Sequence, residues 1–258
     1  MSSKNTLAGK TIVVTRPLAQ AQNILGILEA RLAKVVHFPV ISICAADNIK
    51  SAKQSFNKLT DYQVIIFISA NAVHYTMSIA QELGVNFEHS TLAAVGPATK
   101  TALENYGCNV AIVPSAGFTS EALLNDPALL NIAEQNIMIV RGRGGREHLR
   151  ETLEARNARV TYAEVYQRQL PTERNDINLG ELPQQNTAIL LYSVESAQNL
   201  WSLCTHEEQQ WLQNLTFITG SSRIAEATIQ VGFAKNPIIA ENPSDGAILT
   251  ALDAWLED

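Results

Sequence analysis

Residues 11–41, TIVVTRPLAQAQNILGILEARLAKVVHFPVI, and residues 136–166, NIMIVRGRGGREHLRETLEARNARVTYAEVY, align without a gap at an offset of 125. Nine positions are identical, among them Ile12 on Ile137, Arg16 on Arg141, the run Leu28–Arg31 on Leu153–Arg156, and Val35 on Val160. Average composition would give roughly two. Each copy runs from a strand-length apolar stretch through a turn and an amphipathic stretch to a second apolar run, a βαβ pattern. The same offset later carries Gly107 onto Gly232, Ala122 onto Ala247 and Leu124 onto Leu249. A solenoid needs three or more units to bury a continuous core. A duplicated α/β unit is therefore the reading, and two lobes of that kind create a cleft where ligands bind.

Outward from the repeat, strand and helix patterns alternate over the whole chain, as in parallel α/β folds. Strands are expected at Thr11–Thr15, Val35–Phe38, Val64–Ile68, Leu92–Val95 and Val110–Val113, then at Ile137–Val140, Val160–Tyr162, Ala188–Tyr192, Leu215–Thr219 and Pro237–Ala240. Helices are expected near 19–32, 71–83, 98–106 and 119–129, with counterparts near 146–156, 195–203, 222–231 and 245–256. The strands are apolar almost throughout, which suits sheets covered by helices on both faces. The polar, proline-bounded stretch 171–186 reads as a surface connection.

Composition narrows the function classes. Of the 258 residues 46% are hydrophobic and 17% charged, the balance of a core-forming globular protein. The first ten residues carry no apolar secretory core, and no apolar run reaches the roughly 18 residues that a membrane span requires, so a cytoplasmic protein is expected. Cys44, Cys108 and Cys204 are odd in number and widely spaced, as expected of small buried apolar residues rather than a disulfide or metal set. A net charge of −6 argues against nucleic acid as a partner. Basic residues nevertheless crowd at Arg141-Gly-Arg143-Gly-Gly-Arg146, and local positive potential lets an acidic protein bind an acidic ligand.

In open parallel sheets ligands collect beyond the carboxyl ends of the strands. The turns expected there are rich in small polar residues: Ser69-Ala70-Asn71, Gly96-Pro97-Ala98-Thr99, Thr119-Ser120-Glu121, Ser193-Val194-Glu195-Ser196, Gly220-Ser221-Ser222 and Pro243-Ser244-Asp245-Gly246. Helix capping alone explains each one. The same geometry leaves free backbone N–H groups at positive helix ends, and so many turns together suit a polyanion. The Arg141–Arg146 loop lacks the Lys-Ser/Thr ending of a P-loop and the spacing of a dinucleotide fingerprint. His37, His74, His89, His148 and His206 show no zinc spacing, and no Gly-x-Ser-x-Gly is present. Tyr166, in Ala163-Glu-Val-Tyr166-Gln-Arg168, reads on its own as a packed tyrosine with a hydrogen-bonded hydroxyl.

An ordered set of motifs extends this reading. Thr15-Arg16-Pro17, Phe67-Ile-Ser69-Ala-Asn71-Ala-Val73 and Ala94-Val95-Gly96-x-x-Thr99 are followed by Val140-Arg141-Gly142-x-x-Gly145-Arg146-x-x-Leu149 and Val165-Tyr166-Gln167-Arg168. Ser221-Ser222-Arg223-Ile224-Ala225-Glu226-Ala227 and Pro243-Ser244-Asp245-Gly246-Ala247 complete it. Taken in order over nearly the whole chain, they resemble the uroporphyrinogen-III synthase family. The resemblance implies two similar flavodoxin-like lobes, each a parallel sheet flanked by helices, joined by a two-strand linker. Carried onto this chain it implies a discontinuous domain of residues 1–37 plus 168–258, an inserted domain 43–162, and linker strands 38–42 and 163–167. A sequential split near residue 130 is the alternative.

The same resemblance implies a cyclising lyase acting on hydroxymethylbilane, a linear polycarboxylate, without metal or cofactor. Water leaves and the last pyrrole ring is inverted through a spiro intermediate. Tyr166 matches the family tyrosine assigned near the departing hydroxyl. Ser69, Thr99 and Ser193 match turn positions that face the family's cleft; Ala70, Asn71 and Gly96 belong to the same turns, and Ser120 to the turn Thr119-Ser120-Glu121. Arg16, Arg141 and Arg146 are further substrate-binding candidates, with inter-lobe bridging as the competing role. Relatives carry Gly-Pro-Thr-Thr where this chain has Ser221-Ser222-Arg223-Ile224, so a threonine contact is either lost or supplied by Ser222. A monomer is the default expectation, with transient contact with hydroxymethylbilane synthase admitted. Two other classes compete: a non-catalytic bilobed sensor for a small polyanion, and a nucleotide-dependent transferase using the Arg/Gly loop.

Overall fold

A computed structural model describes residues 6–233 and 237–257; residues 1–5 of the N-terminal decapeptide considered above lie outside it. The first half of the chain runs β1 (Thr11–Val14), α1 (Leu18–Ala30), β2 (Lys34–His37), β3 (Ser42–Ala45), α2 (Ile49–Phe56), β4 (Val64–Phe67), α3 (Ala70–Leu83), β5 (Thr91–Ala94), α4 (Pro97–Asn105), β6 (Val110–Ile112) and α5 (Ser120–Leu124). It continues as β7 (Asn136–Gly142), α6 (His148–Ala155), β8 (Arg159–Gln169), β9 (Thr187–Leu191), α7 (Val194–Leu203), α8 (His206–Leu212), β10 (Thr216–Thr219), α9 (Ser222–Val231), β11 (Ile238–Ile239) and α10 (Asp245–Glu257).

These elements form two compact units, Met1–Ser42 with Gln169–Asp258, and Ile43–Arg168. The first unit has a five-stranded sheet in the order β2-β1-β9-β10-β11. β1 pairs in parallel with both β2 and β9, and β10 with β9 and β11. Strand alternation sends Ile12, Val14, Ala188 and Leu190 to one face, where α1 (Ala21, Ile24, Leu28) and α10 (Ile248, Leu252) cover them. Val13, Ile189, Leu191 and Phe217 take the other face, under α7, α8 and α9 (Leu200, Leu212, Ile224). Each such fully buried aliphatic or aromatic side chain contributes about 1.5–3 kcal/mol.

The second unit repeats the plan. Its sheet runs β8-β7-β4-β5-β6, with β3 added on the outer side of β8. β4–β5, β4–β7, β5–β6 and β7–β8 are parallel. Ile65, Phe67, Met138 and Val140 pack under α2 and α3 (Phe56, Val73, Ile79), and Ile66, Ile137 and Ile139 pack against α5 and α6 (Leu123, Leu149, Leu153). Both units thus have the doubly wound order of flavodoxin-like folds, as the resemblance implied.

The duplication reappears element by element, with β5 at 91–94 matching β10 at 216–219 at the same offset of 125. Partnership is exchanged, however. β1 and β2 of the first copy complete the sheet of β9–β11, whereas β7 and β8 of the second copy complete the sheet of β4–β6.

Residues 163–167 lie within the eleven-residue β8, of which Ala163, Glu164 and Tyr166 pair with β7. Other expectations need correction. The helix expected over 119–129 ends at Leu124, because Pro127 opens a separate 3-10 turn. The stretch 171–186 is no mere surface connection: Leu179 and Leu182 are buried in the core, and Arg174 forms a bidentate pair with buried Glu208. Cys204 is buried as expected, but Cys44 and Cys108 are only half-buried. Among the described residues no helix is long and apolar enough to cross a membrane.

Candidate functional site

Because β1, β2, β9, β10 and β11 run parallel in the first unit and β4 to β8 in the second, the carboxyl ends of these strands share one edge within each unit, and every turn singled out from the sequence follows such an end. In the second unit these are Ser69 after β4, Gly96 after β5, Ser120 after β6 and the Arg/Gly loop after β7. Arg16, Ser193 and Ser222 follow β1, β9 and β10 of the first unit.

Tyr166 reaches its place through a bulge. Along the β7–β8 ladder Arg141 faces Glu164, but Gly142 faces Tyr166, so β8 carries Val165 as an extra residue. A bulge re-aims the side chain that follows it. The Tyr166 ring then lies directly over Gly142, where a Cβ would sit 2.6 Å from the ring carbons. Tyr75 stacks alongside at 6.0 Å and is itself anchored by donating a 2.8 Å hydrogen bond to the Ile43 carbonyl. Tyr166 is only 4% exposed. Its hydroxyl stands 3.2 Å from Ser69 Oγ. Ser69 also caps α3, accepting from the Ala72 N–H at 3.1 Å. Since that contact occupies an acceptor site and not the Ser69 proton, Ser69 can donate to Tyr166 and leave the phenolic proton for a ligand.

Capping explains most of the small polar residues, though not always the ones expected. Ser69, Thr119, Ser193 and Ser221 accept the N-cap bonds of α3, α5, α7 and α9. Ser193 and Ser196 form a reciprocal capping box. Ser120 and Ser222 are instead first helical residues, with Ser222 exposed. Helix α4 starts at Gly96 without a side-chain cap, with Pro97 in its first turn and Thr99 buried. The N–H groups of Ala70, Asn71 and Ala98 fall in first turns, where no intrahelical acceptor exists. They point along the positive end of the helix dipole.

The two repeat-related arginines are engaged inside their own units. Arg16 lies 3.5 Å from the Tyr192 ring centroid and donates to Asp245 Oδ1 and the Pro243 carbonyl, each at 2.7 Å. Arg141, its side chain 4% exposed, lies over Tyr162 and donates to the carbonyls of Gly142 and Gly144 and to Glu147 Oε1. The hydrogen bond from Tyr162 and the Arg141 charge hold the Glu147 carboxyl below the usual carboxylate range. Burial and that same bond push the Tyr162 phenol up to about 12. Arg141 therefore organises the glycine loop, and Gly145, at φ 109°, leaves room for its guanidinium. Arg146 differs: its side chain is 87% exposed, with Glu121 at 3.7 Å. It lines a cavity of about 220 Å³ with Ser120, Gly144, Gly145 and an apolar wall that includes Ile68, Val95 and Leu149. No group of His, Cys, Asp or Glu among the described residues could hold a metal ion.

Comparison with known proteins settles the lineage. The family model described as uroporphyrinogen-III synthase HemD matches residues 22–250. The chain belongs to the uroporphyrinogen-III synthase family. It is 28% identical over 245 residues to the uroporphyrinogen-III synthase of Escherichia coli K12, covering 94% of this chain and 99% of that one. The Salmonella typhimurium LT2 enzyme is 30% identical over 248 residues, with the same shares covered. The fold recurs in a crystal structure of a mutant uroporphyrinogen III synthase from the extreme thermophile Thermus thermophilus, at TM-score 0.60 and 16% identity, covering 96% of this chain and 99% of that one. It recurs again in the Helicobacter pylori 26695 uroporphyrinogen-III synthetase, at TM-score 0.58, 16% identity and shares of 95% and 99%. Enzymes of the uroporphyrinogen-III synthase family act on hydroxymethylbilane.

Thr119 is legible in the sequence as the cap of its turn, and it takes that role. Gly142 and Tyr75 carry no local signal for theirs, which exist only through β7–β8 register and the packing of α3.

Proposed function

We infer that this chain is a uroporphyrinogen-III synthase, which closes linear hydroxymethylbilane into a macrocycle with its last pyrrole ring inverted and one water lost. Membership of the family over residues 22–250 is the observation that carries this reading. Tyr166 is the group we assign to the first step. Its hydroxyl hydrogen-bonds the departing hydroxymethyl oxygen and supplies a proton as the C–O bond breaks, so that water leaves and an azafulvene remains. The substituted carbon of the terminal pyrrole attacks it, giving the spiro intermediate. Fragmentation and reclosure at the free carbon of the inverted ring follow, and the hydrogen lost there restores the phenolic proton. Ser69, donating to the phenol oxygen at 3.2 Å, stabilises the charge that develops on it.

The open substrate cyclises unaided to the uninverted isomer, so holding its ends is the larger part of the work. Eight carboxylates give it eight handles. The amides of Ala70, Asn71 and Ala98 and the hydroxyls of Thr99, Ser120, Ser193 and Ser222 suit carboxylates without a dense patch of positive charge. Arg146 is the exposed arginine we assign to one of them; Arg16 and Arg141 act by holding their turns in shape. A cytoplasmic monomer working without a cofactor completes the proposal, with Met1–Ser42 plus Gln169–Asp258 and Ile43–Arg168 as its two domains.

The test is a coupled assay in which hydroxymethylbilane is generated in place and the oxidised products are resolved as type I or type III porphyrin. Type III above the enzyme-free control is expected. Tyr166→Phe should lower turnover by roughly 10²-fold or more with folding intact. Type I alone from folded wild-type protein would overturn the reading and favour a polyanion sensor.

A further inference from the structure

Phe118 is an anomaly of the second unit. It is a large aromatic residue at φ 27°, directly after Gly117 at φ 81°, and it is 52% exposed. Positive φ is rare for a bulky side chain, because its Cβ crowds the backbone, and residues held so cluster at ligand clamps. Burial does not compensate for the conformation here, since half of the residue remains in water. The Phe118 side chain stands against Gly96: a Cβ on Gly96 would come within 3.4 Å of the Phe118 Cβ. Gly96 is the bare N-cap of α4. Val95, its chain neighbour, and Ser120, two residues beyond Phe118, both line the 220 Å³ cavity that Arg146 borders. An apolar flat surface is thereby fixed beside the Ala98 amide, a hydroxyl and an exposed guanidinium, at the carboxyl edge of the sheet.

We propose that Phe118 contacts the substrate directly, its ring serving as the platform on which one pyrrole of the linear tetrapyrrole rests. This rests on the synthase reading above. A pyrrole bearing carboxylate arms needs both chemistries at once: a π-face or edge contact for the ring, and donors within a few ångströms for its arms. The α4 N-terminus supplies the Ala98 amide on one side, and Ser120 with Arg146 supplies the other. The strained backbone holds the ring in place before the substrate arrives, so less side-chain freedom is lost on binding.

The experiment compares Phe118→Asn and Phe118→Tyr with wild type in the coupled assay, alongside thermal melting of each protein. Asparagine tolerates positive φ but removes the platform; tyrosine keeps the platform. Phe118→Asn is expected to melt at or above the wild-type temperature, yet to raise KM about 3–10-fold, the range of one lost aromatic contact. Phe118→Tyr is expected to keep wild-type KM. Wild-type KM in Phe118→Asn would overturn the proposal. So would a raised KM together with a lowered melting temperature in both variants, which would mark a packing role. If wild type itself makes no type III product, the synthase reading fails rather than this one.

Discussion

Gly142→Ala tests the catalytic geometry without touching a reacting group. A Cβ at residue 142 would lie 2.6 Å from Tyr166 Cε2 and Cζ. Ordinary carbon contacts begin near 3.5 Å, so the ring must retreat by about 1 Å. It cannot do so freely, because Tyr75 stacks on it and Ala163 and Val165 pack in the same cluster. The hydroxyl, on the very carbon that is displaced, would move from 3.2 Å to about 4 Å from Ser69 Oγ, beyond hydrogen-bond range. A misplacement of about 1 Å costs up to about 10²-fold in turnover, and overpacking of this kind costs about 1–3 kcal/mol in stability. Initial rates of type III formation would be measured for wild type, Gly142→Ala, Tyr166→Phe and the double variant, with urea midpoints as the folding control. If the alanine acts through the tyrosine hydroxyl, its effect on turnover should largely vanish once that hydroxyl is gone. Wild-type turnover in Gly142→Ala, or losses that multiply in the double variant, would refute the argument.

Further predictions concern the first unit. The Tyr192 hydroxyl is buried without a hydrogen-bond partner among the described residues, and burial raises its pKa. Tyr192→Phe should therefore melt no lower than wild type and gain up to about 1 kcal/mol, as read by urea titration; a loss of 2 kcal/mol would reveal a bond not accounted for. Glu208 is shifted upward by burial, but hydrogen bonds from Arg174, Thr205 N–H and Leu179 N–H outweigh that and hold its pKa below the ordinary value. Its contribution is present above about pH 4.3, the unfolded value, and is lost as pH falls through the lower folded pKa. Urea midpoints should thus decline in acid, with a shallower decline in Glu208→Gln. Arg174→Met, which strands the buried carboxylate, should cost about 3 kcal/mol at neutral pH; a neutral result would show the pair to be solvated.

Local signals made much of the fold legible. The alternation of Ile12, Val13 and Val14 and the helical spacing of Ala21, Ile24 and Leu28 each reported one element, and the repeat reported the same elements again. Two helices were missed although their signals were present. Ile49, Ala52 and Phe56 lie on one helical face, and Thr205-x-x-Glu208 is a capping box. Both helices are short enough to pass for loop. The β8 bulge left no trace, since Ala163, Val165 and Tyr166 all read as strand residues whichever face they take. The site was legible as positions but not as roles. Ser193 and Ser221 are caps, and Arg16 and Arg141 are engaged internally, because each side chain's partner comes from a segment that local sequence does not specify.

The exchange of strands between the two copies has a consequence for the order in which the chain matures during synthesis. All six strands of the second unit lie between Ser42 and Gln169. A nascent chain can close that sheet soon after residue 169 leaves the ribosome. β1 can pair with β2 at once, but its other edge must wait for β9 at Thr187–Leu191, and β10 and β11 come later still. The earliest segment to emerge is thus the last to have its sheet completed, and one edge of β1 stays open while the middle of the chain folds. A ribosome-bound chain stalled shortly past residue 170 should hold a protease-resistant core of residues 43–168 and a cleavable stretch before it.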